Sequence, residues 1–553
     1  MKRITRLSDW YAELPEPMRT LLAVGSVGKL HMLDAAVNGL ACAAQSPTLP
    51  VICADMVLAS FGETPLSGEL ATQILNTPIL APQLDQNSRQ ILRTVSQSWS
   101  RPENLSYFQR VVERREMNKI KHFLEKRIQN EPNNLFWYEQ AMSVGMYEAD
   151  YDWLTAQIMT IHHSKFGPVL TALMGQINQA RGLYVPAEKC IKATKNTFGK
   201  GWRILSRAEI CLQSGDRQGG LALLLKALRH SPWQTQAALR AYDLLEGLDQ
   251  HRAQLPGSIA VLLYSWNKCR DLNDTLASLH ASDLGDARLF VLDNGSTDTT
   301  PEVLSSWQQR FGKDRMEIIT LPVNAGAAGA RNWLMHHPAV CASDWAIYLD
   351  DDAVVPEDWL TLFGAAVQHY PDAGVWGCKV VDAVQPALLQ AVDYHLLPLA
   401  VAVPLDLSRL SPHPVSLSNL HIQVLDSGQF DYMRPCVSVT GCCHLFKTER
   451  LHECGDFSLY LSPSQYDDLE RDLRMAAGGN FAVYQGHLRV LHRKRTGRAT
   501  LVNPAQEANA LGNKYKMQAM HEPQEIAAST QAEHQLLKAD LQAKLARLDQ
   551  ERE

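Results

Sequence analysis

Residues 344–360 read DWAIYLDDDAVVPEDWL, an apolar run that ends in the consecutive aspartates Asp350, Asp351 and Asp352. The run has the length and composition of a buried strand, and a like-charge cluster directly behind it repels itself. Alternate residues of an extended segment point to the same side, so Asp350 and Asp352 can bind one divalent cation, which removes the repulsion. The pattern therefore predicts a strand that ends at a cation site.

The surrounding segment, from Leu255-Pro256-Gly257 to about residue 500, alternates short apolar runs with helical patterns. Runs such as SIAVLLYSW and DARLFVLDN end in polar loops, which predicts an α/β domain with a mainly parallel sheet. In such sheets ligands bind beyond the carboxyl ends of the strands. The loop NAGAAGARNWLM adds small residues that allow the backbone to approach a ligand closely.

The chain before this domain is predicted to be helical throughout. Segments such as SYFQRVVERREMNKIKHFLEKRIQNEP carry apolar residues three and four apart on a charged background. Small residues recur within 168–250, because 33 residues separate Gly175 from Ala208 and Ala187 from Gly220. This spacing resembles the tetratricopeptide repeat, and a generic helical bundle is the alternative.

The predicted organisation is an all-α region over 1–255, an α/β domain over 256–500 and a C-terminal helical tail over 501–553. The tail aligns four leucines on one helical face, which could pack on the body of the protein or on a partner. These leucines are Leu537, Leu541, Leu545 and Leu548.

Composition excludes several classes of protein. The net charge of −6 and the pI near 6.3 give no reason to expect nucleic-acid binding. A membrane span needs about 20 largely uncharged apolar residues, and no such stretch occurs, so we expect no transmembrane segment and a cytoplasmic location. The eleven cysteines never form CxxC, which indicates reduced thiols used as small apolar residues.

Six segments, in this order, resemble the family 2 glycosyltransferases of GT-A fold over roughly residues 258–497. The segments are SWNKCRDLNDTLASL, VLDNGSTDTT, NAGAAGARNWLM, YLDDDAVVPEDWL, VTGCCHLFKTERLHECGDF and YDDLERDLRMAAGG. The resemblance implies a nucleotide-sugar donor. It places Ser265 and Asn267 near the nucleotide, Asp293 at the base and Arg331 on the donor side of the glycine-rich loop.

The resemblance also implies a cation site of Mn²⁺ or Mg²⁺. Asp350 matches the first aspartate of the DxD motif, near ribose or metal, and Asp352 matches its metal-ligating second aspartate. His492 resembles a late metal ligand, with His487 as the less favoured competitor. Asp351, the middle residue, is expected to be exposed to solvent.

The segment QYDDLERDLR replaces the Glu-Asp pair of the family with Asp467 and Asp468. A positioned carboxylate can act as general base for an acceptor hydroxyl, and by register Asp468 is the better candidate, with Asp467 as its rival. The resemblance implies inversion at the anomeric centre. The basic run at Arg493, Lys494, Arg495 and Arg498 is either a phosphate clamp or a solvated loop.

The resemblance thus implies a metal-dependent, inverting glycosyltransferase. Solenoid repeats bind polypeptides, so a protein acceptor or partner docked on the helical region is expected, and transferases that modify bacterial surface proteins such as flagellin look similar in layout. One alternative is a saccharide or lipid-linked acceptor in cell-surface polysaccharide synthesis. A second is a non-catalytic repeat scaffold with a degenerate transferase domain.

Overall fold

A computed structural model describes residues 6–161, 163–398, 415–493 and 504–551. The chain divides into two compact units. Unit 1 comprises Met1–Glu246, Leu420–Gln429 and Leu541–Glu553, and unit 2 comprises Gly247–Asn419 and Phe430–Asp540.

Unit 1 is built from helices in its described part. They are α1 (Leu7–Ala12), α2 (Glu16–Val24), α3 (Lys29–Ala41), α4 (Leu49–Glu63), α5 (Gly68–Asn76), α6 (Gln86–Gln97), α7 (Ser106–Glu113), α8 (Met117–Asn130), α9 (Leu135–Tyr147), α10 (Tyr151–Ile158), α11 (His163–Ala180), α12 (Tyr184–Ala193), α13 (Lys200–Gln213), α14 (Arg217–His230) and α15 (Thr235–Glu246).

A left-handed backbone residue recurs about every 33 residues along unit 1 and again at the first residue of unit 2. Positive φ angles occur at Arg115 (53°), Ala149 (54°), Gly182 (75°), Gly215 (90°) and Gly247 (73°). Helices α8, α10, α12 and α14 begin two residues after the first four of these. The helical repeat thus extends well before residue 168, and its identification as tetratricopeptide-like stays a prediction.

Close packing explains the small residues of the repeat. A Cβ atom on Gly175 would lie 2.6 Å from Cδ1 of Ile191, and one on Gly220 would lie 2.3 Å from Cδ2 of Leu212. Each contact joins the two helices of one pair. The spacing that indicates a repeat in the sequence therefore reflects the points where paired helices touch.

Helix α4 lies along the first helices of successive pairs. Twelve of its fifteen residues are buried. The Nε2 atom of Gln176 on α11 donates to the carbonyl oxygen of Gly62 (3.0 Å), and Nε1 of Trp202 on α13 donates to Glu63 (2.9 Å). Nε1 of Trp233, just before α15, donates to Asp55 (2.9 Å). This side of the repeat is therefore covered by the chain itself.

Asp549 contacts the first turn of α1, within unit 1. Its carboxylate accepts hydrogen bonds from the backbone N–H groups of Leu7 (2.7 Å) and Ser8 (2.9 Å) and from the Ser8 hydroxyl (2.7 Å). These N–H groups have no partner inside a helix, and a carboxylate at a helix N-terminus is favourable.

Unit 2 holds the strands. Its elements are β1 (Ile259–Ser265), α16 (Cys269–Ala281), β2 (Arg288–Asp293), α17 (Thr300–Phe311), β3 (Met316–Thr320), α18 (Gly326–Met335), α19 (Pro338–Cys341), β4 (Trp345–Leu349), β5 (Ala353–Val354), α20 (Trp359–His369), β6 (Val375–Asp382), β7 (Leu389–Ala391), β8 (Met433–Cys436), β9 (Cys443–Lys447), α21 (Thr448–Glu453), α22 (Asp467–Ala477), β10 (Ala482–His492), α23 (Pro504–Ala519) and the larger part of α24 (Pro523–Gln550).

The strand order is β3-β2-β1-β4-β9-β6-β10-β5, with β7 on β6 and β8 on β10. Strands β1 to β4 pair in parallel, as the alternation of runs and helices predicts. In the second half β10 pairs with β6 in parallel, but β9 runs antiparallel to β4 and β6, and the expectation of a mainly parallel sheet is wrong for that strand. Only residues 437–442 separate β9 from β8, too few for the crossover helix that connects neighbouring parallel strands. The predicted order, a helical region followed by an α/β domain, is confirmed.

The pairing gathers the predicted site at one edge of the sheet. Ser265 is paired with Asp293 at the carboxyl ends of β1 and β2, and the three aspartates directly follow β4. The antiparallel pairing of β10 with β5 sets His492 opposite Ala353, next to Asp352.

The tail packs on the body of the protein rather than projecting from it. Leu537, Leu541, Leu545 and Leu548 are all buried. Within unit 2, Glu533 of α24 accepts hydrogen bonds from the His395 ring (2.9 Å) and the Leu396 backbone N–H (2.8 Å). No membrane-crossing helix occurs in the part of the chain that the structure describes, since each helix there is too short or too polar for a span.

Candidate active site

Lys268 neutralises the aspartate cluster. Its Nζ donates to Oδ1 of Asp351 (2.9 Å) and to Oδ2 of Asp352 (2.8 Å). Burial opposes the charged form of Lys268, but the two carboxylates raise its pKa above the ordinary range. The repulsion inherent in three consecutive aspartates is thus relieved by a side chain that follows β1.

Asp351 is buried, and the expectation that it is exposed to solvent is wrong. Only 7% of the residue is exposed. Besides Lys268, the Ser265 hydroxyl donates to its Oδ2 (2.7 Å). Asp351 therefore joins the ends of β1 and β4, and Ser265, predicted to lie near the nucleotide, is engaged in that link.

Asp350, Cys442 and His492 form a cluster of potential metal ligands. A carboxylate oxygen, the Sγ atom and a ring nitrogen of these residues all lie within 4.8 Å of one another. Asp350 keeps 27% of its side chain exposed, whereas Cys442 is buried. The structure thus brings together two of the three predicted metal ligands and adds a thiol.

Asp352, the third predicted ligand, lies beside this cluster. Its Oδ1 is 2.9 Å from Nε2 of His492, and only 2% of the residue is exposed. Burial raises the pKa of Asp352, but His492 and Lys268 outweigh it, so the pKa lies well below the usual range. For Asp350, burial dominates and raises the pKa to about 6, against the effect of Arg331.

Gln390 on β7 orients the His492 ring. Its Oε1 lies 2.6 Å from Nδ1 of His492, so that nitrogen carries the hydrogen and donates to the amide oxygen. Nε2 also carries a hydrogen, which it donates to Oδ1 of Asp352. Burial lowers the pKa of His492, but Asp352 outweighs burial and raises it. A bound cation would take the place of the hydrogen on Nε2. The competing His487 is not part of the ligand cluster.

The loops after β1 and β2 are fastened to each other. Asn267, with a φ of 55°, accepts a hydrogen bond at Oδ1 from the Thr297 N–H (2.7 Å). Asp293 is buried and accepts at Oδ1 from the Ser296 N–H (2.9 Å). Both residues predicted to contact the nucleotide therefore shape the loops at this edge of the sheet.

Asn294, which sequence reasoning missed, links these loops to the glycine-rich segment. Its Oδ1 accepts from the Ala325 N–H (2.8 Å), and its Nδ2 donates to Asn324 (3.0 Å). Glycine is required at Gly326, where φ is 76° and a Cβ would lie 3.2 Å from the Pro463 carbonyl oxygen.

Arg331 lies beneath the site, between the aspartate cluster and α22. It is 5% exposed, forms an ion pair with Asp467, and its NH2 lies 3.8 Å from Oδ1 of Asp350. Its guanidinium also lies 5.5 Å from the centre of the Tyr264 ring. Arg331, predicted on the donor side, is therefore a buried connector of two carboxylates.

Asp467 and Asp468 occupy different environments. Asp467 is buried against Arg331, and burial raises the pKa of its carboxyl while Arg331 opposes the shift. Asp468 is partly exposed, and its Oδ2 accepts from the Gly441 N–H (2.7 Å). The chain enters α22 through left-handed backbone at Gln465 (φ 83°) and Tyr466 (φ 70°). Such conformations cost energy in L-residues and are concentrated at functional sites.

The charged residues after Asp468 serve the packing of α22. Glu470 and Arg474 form an i,i+4 ion pair (2.7 Å), as expected from their spacing. Asp472 is buried and accepts from the Ser438 hydroxyl (2.7 Å) and the Val439 N–H (3.1 Å). Burial raises the pKa of Asp472 to about 8.

Only the first residue of the basic run lies in the described part of the chain. The Arg493 guanidinium is engaged by Asp271 and Asp274 on α16. Lys494, Arg495 and Arg498 lie outside the described residues.

The comparisons with known proteins concern mainly the α/β domain. Residues 260–389 match the family described as glycosyl transferase family 2. No curated protein matches the chain by sequence similarity. The match confirms, over these residues, the resemblance to the family 2 glycosyltransferases seen in the sequence.

Three solved structures resemble the chain at low identity. GalNAc-T7 with UDP, GalNAc and Mn²⁺ is 15% identical, with a TM-score of 0.35 over 47% of this chain and 48% of that one. TarS of S. aureus is 13% identical, with a TM-score of 0.29 over 41% and 35%. The mannosyltransferase PcManGT of Pyrobaculum calidifontis, in complex with GDP-Man and Mn²⁺, is 15% identical, with a TM-score of 0.32 over 56% and 85%. The chain thus spans about half the length of the first and a third of the second.

Proposed function

We propose that the chain is a family 2 glycosyltransferase, that it moves a sugar from a nucleoside-diphosphate sugar to an acceptor hydroxyl with a divalent cation, and that it inverts the anomeric centre. One observation carries the proposal: a cluster of metal-ligand atoms and a partly exposed carboxylate, Asp468, flank the buried Arg331. A cation held by the cluster would stabilise the leaving diphosphate, and the carboxylate would take the proton of the acceptor hydroxyl.

The residues at the sheet edge fit a divalent cation. Carboxylate oxygens suit Mg²⁺ and Mn²⁺, and an imidazole favours Mn²⁺. Asp350 and His492 would hold the cation together with Asp352, whose Oδ1 is 2.9 Å from the His492 ring nitrogen. When bound, the cation stabilises the negative charge of the leaving diphosphate. The structure of GalNAc-T7 contains UDP, GalNAc and Mn²⁺, and that of the mannosyltransferase contains GDP-Man and Mn²⁺.

Asp468 is the better candidate for the general base. It is partly exposed, whereas the Asp467 carboxylate is buried against Arg331. In this proposal the proton of the acceptor hydroxyl passes to Asp468 as the acceptor oxygen attacks the anomeric carbon. The bond from that carbon to the diphosphate oxygen breaks at the same time, so the configuration inverts. Asp467 and Arg331 position the start of α22.

The donor side would be formed by the loops after β1 and β2. Asn267 and Asp293 fix these loops through hydrogen bonds to backbone N–H groups, with distances of 2.7 Å and 2.9 Å. A rigid edge of this kind suits recognition of a base and ribose, because a site held in place loses little entropy on binding. This supports a nucleotide as the occupant.

The helical repeat bears on the class of acceptor. The helical repeat favours a protein acceptor, such as a bacterial surface protein or flagellin. Helix α4 covers the side formed by α11, α13 and the start of α15, so such an acceptor would use another surface of the repeat or displace α4. A saccharide or lipid-linked acceptor is the alternative within the same chemistry.

The test is hydrolysis and binding of a panel of nucleotide sugars by the full chain with Mn²⁺, Mg²⁺ or EDTA. We expect one donor to be bound and slowly hydrolysed only with metal, and Asp352→Ala to lose that activity while keeping its fold by circular dichroism. Absence of both binding and hydrolysis under metal saturation would contradict the proposal and favour the scaffold alternative.

A further inference from the structure

Cys442 is held beside Asp350 by strand pairing. The register of β4 and β9 sets Leu349 opposite Cys443, and the pairing continues by one residue because the Asp350 N–H donates to the Cys442 carbonyl oxygen (2.8 Å). Directly opposed residues of an antiparallel pair point to the same face of the sheet. The pairing of β4 with β9 therefore places the Asp350 carboxylate next to the Cys442 thiol.

His492 completes the arrangement from another strand. Its Nε2 faces the aspartates, because Nδ1 donates to Gln390, and the ring is 9% exposed. The carboxylate oxygen, thiol sulfur and ring nitrogen lie within 4.8 Å of one another. Three ligand types converge here from three strand ends that are distant in sequence.

The thiol of Cys443, next to Cys442 in the sequence, has a different role. Successive residues of a strand point to opposite faces, so Cys443 faces away from Asp350. Its carbonyl oxygen accepts from Sγ of Cys378 (3.7 Å), and both of these cysteines are buried. Of the Cys442-Cys443 pair, one thiol belongs to the core and the other to the site.

We propose that Cys442 is a ligand of the cation in the donor site, and that the site therefore takes borderline-soft cations such as Co²⁺ and Zn²⁺ more tightly than Mg²⁺. The inference rests on the proposed function, which requires a cation at this edge of the sheet. Thiolate and imidazole ligands favour Zn²⁺ and Co²⁺, whereas oxygen ligands alone favour Mg²⁺ and Mn²⁺. As the sulfur–metal bond forms, the thiol proton leaves to solvent.

Cobalt provides a test that does not depend on activity. A thiolate bound to Co²⁺ gives a sulfur-to-metal charge-transfer absorption in the near ultraviolet, which oxygen and nitrogen ligands do not give. We expect the full-length wild type to show this band on titration with Co²⁺. Cys442→Ser should lose the band and bind Co²⁺ at least about tenfold more weakly. Cys436→Ser, which removes a buried thiol on β8 away from the cluster, should keep both.

The outcomes separate this inference from the proposed function. Binding of Co²⁺ without the band, or a band that persists in Cys442→Ser, would overturn the role of Cys442 and leave the cation site standing. No binding of Co²⁺, Mn²⁺ or Mg²⁺ would overturn both. If Cys442→Ser does not fold, cadmium NMR of the wild type decides, because a sulfur ligand moves the cadmium resonance strongly downfield and its absence contradicts the inference.

Discussion

The ammonium group of Lys268 lies 2.8 Å from Oδ2 of Asp352, the aspartate that the sequence assigns to the metal. The Lys268 ammonium group thus donates a hydrogen bond to a carboxylate that is expected to bind a divalent ion. We infer that Lys268 stabilises the aspartate cluster between metal-bound states.

Replacement of Lys268 by methionine should destabilise the metal-free protein, because Asp351 and Asp352 would lose their partner. We expect a loss of about 1–3 kcal/mol in the free energy of unfolding, below that of a fully buried pair because Lys268 keeps 38% of its side chain exposed. Thermal denaturation in EDTA and in Mn²⁺ measures it, and Mn²⁺ should restore most of the loss.

Arg252→Met is the matched control for this variant. Arg252 is exposed to the same extent, 38%, and pairs with Asp358 away from the site. Its loss should cost less than about 1 kcal/mol, with no rescue by Mn²⁺. Equal behaviour of the two variants would argue against a special role of Lys268.

The two aspartates at the start of α22 should respond differently to substitution by asparagine. Asp468→Asn should keep donor affinity and stability but lower kcat by about 10²–10⁴-fold, because the general base is removed. Asp467→Asn should instead lower the free energy of unfolding by about 3 kcal/mol, because the buried Arg331 loses the closer of its two carboxylates. Donor titration, transfer kinetics and urea denaturation distinguish them; full transfer by Asp468→Asn would assign the base elsewhere.

Gln390→Leu should weaken metal binding by about tenfold or more, because the His492 ring loses the group that fixes its tautomer. Isothermal titration with Mn²⁺ measures the change. Gln368→Leu serves as control, since it removes a similar contact, 3.0 Å from Nε2 of His251 outside the site. Unchanged Mn²⁺ affinity in Gln390→Leu would mean that His492 is not a ligand.

Asp472 should make unit 2 less stable as the pH rises. Its pKa in the folded protein, about 8, exceeds the unfolded value of 3.8, with burial as the main cause and Asp468 as a smaller one, opposed by hydrogen bonds from Ser438 and Val439 and by Arg471. The folded state therefore holds the proton more tightly, and this stabilisation is present below about pH 4 and lost towards pH 8.

The loss should be on the order of 6 kcal/mol across this range and should disappear in Asp472→Asn, which mimics the protonated carboxyl. Urea denaturation at several pH values, wild type against variant, measures the difference. Parallel pH profiles for the two proteins would show that Asp472 is not the group responsible.

The sequence predicted those parts of the site that depend on local pattern. Asp350, Asp352 and Asp293 follow apolar runs, and the carboxyl ends of strands are recognisable without knowing how the strands pair. The roles of Cys442 and Gln390 depend instead on pairing between strands that are far apart in sequence. A residue pattern does not specify that register, so Cys442 reads as an ordinary core thiol.

Two further differences between the sequence-based predictions and the structure also arise where the local pattern carries no signal. Asp351 was expected in solvent because its burial depends on Lys268 and Ser265, which come from another strand end. The sequence indicates the repeat only within 168–250, where small residues recur at matching positions. The earlier turns give no glycine signal either, because Arg115 and Ala149 hold their left-handed positions. Those two residues adopt the same conformation without the usual sequence signal.

The hydrogen bonds from Leu7 and Ser8 to Asp549 determine when, during synthesis, the first helix can receive its cap. Asp549 is synthesised 542 residues after Leu7, with all of unit 2 made in between. At about 5–20 residues per second, translation takes roughly 30–110 s to cover that interval. Throughout it the first turn of α1 lacks its carboxylate cap, so this part of unit 1 is completed only as synthesis reaches the C-terminal helix.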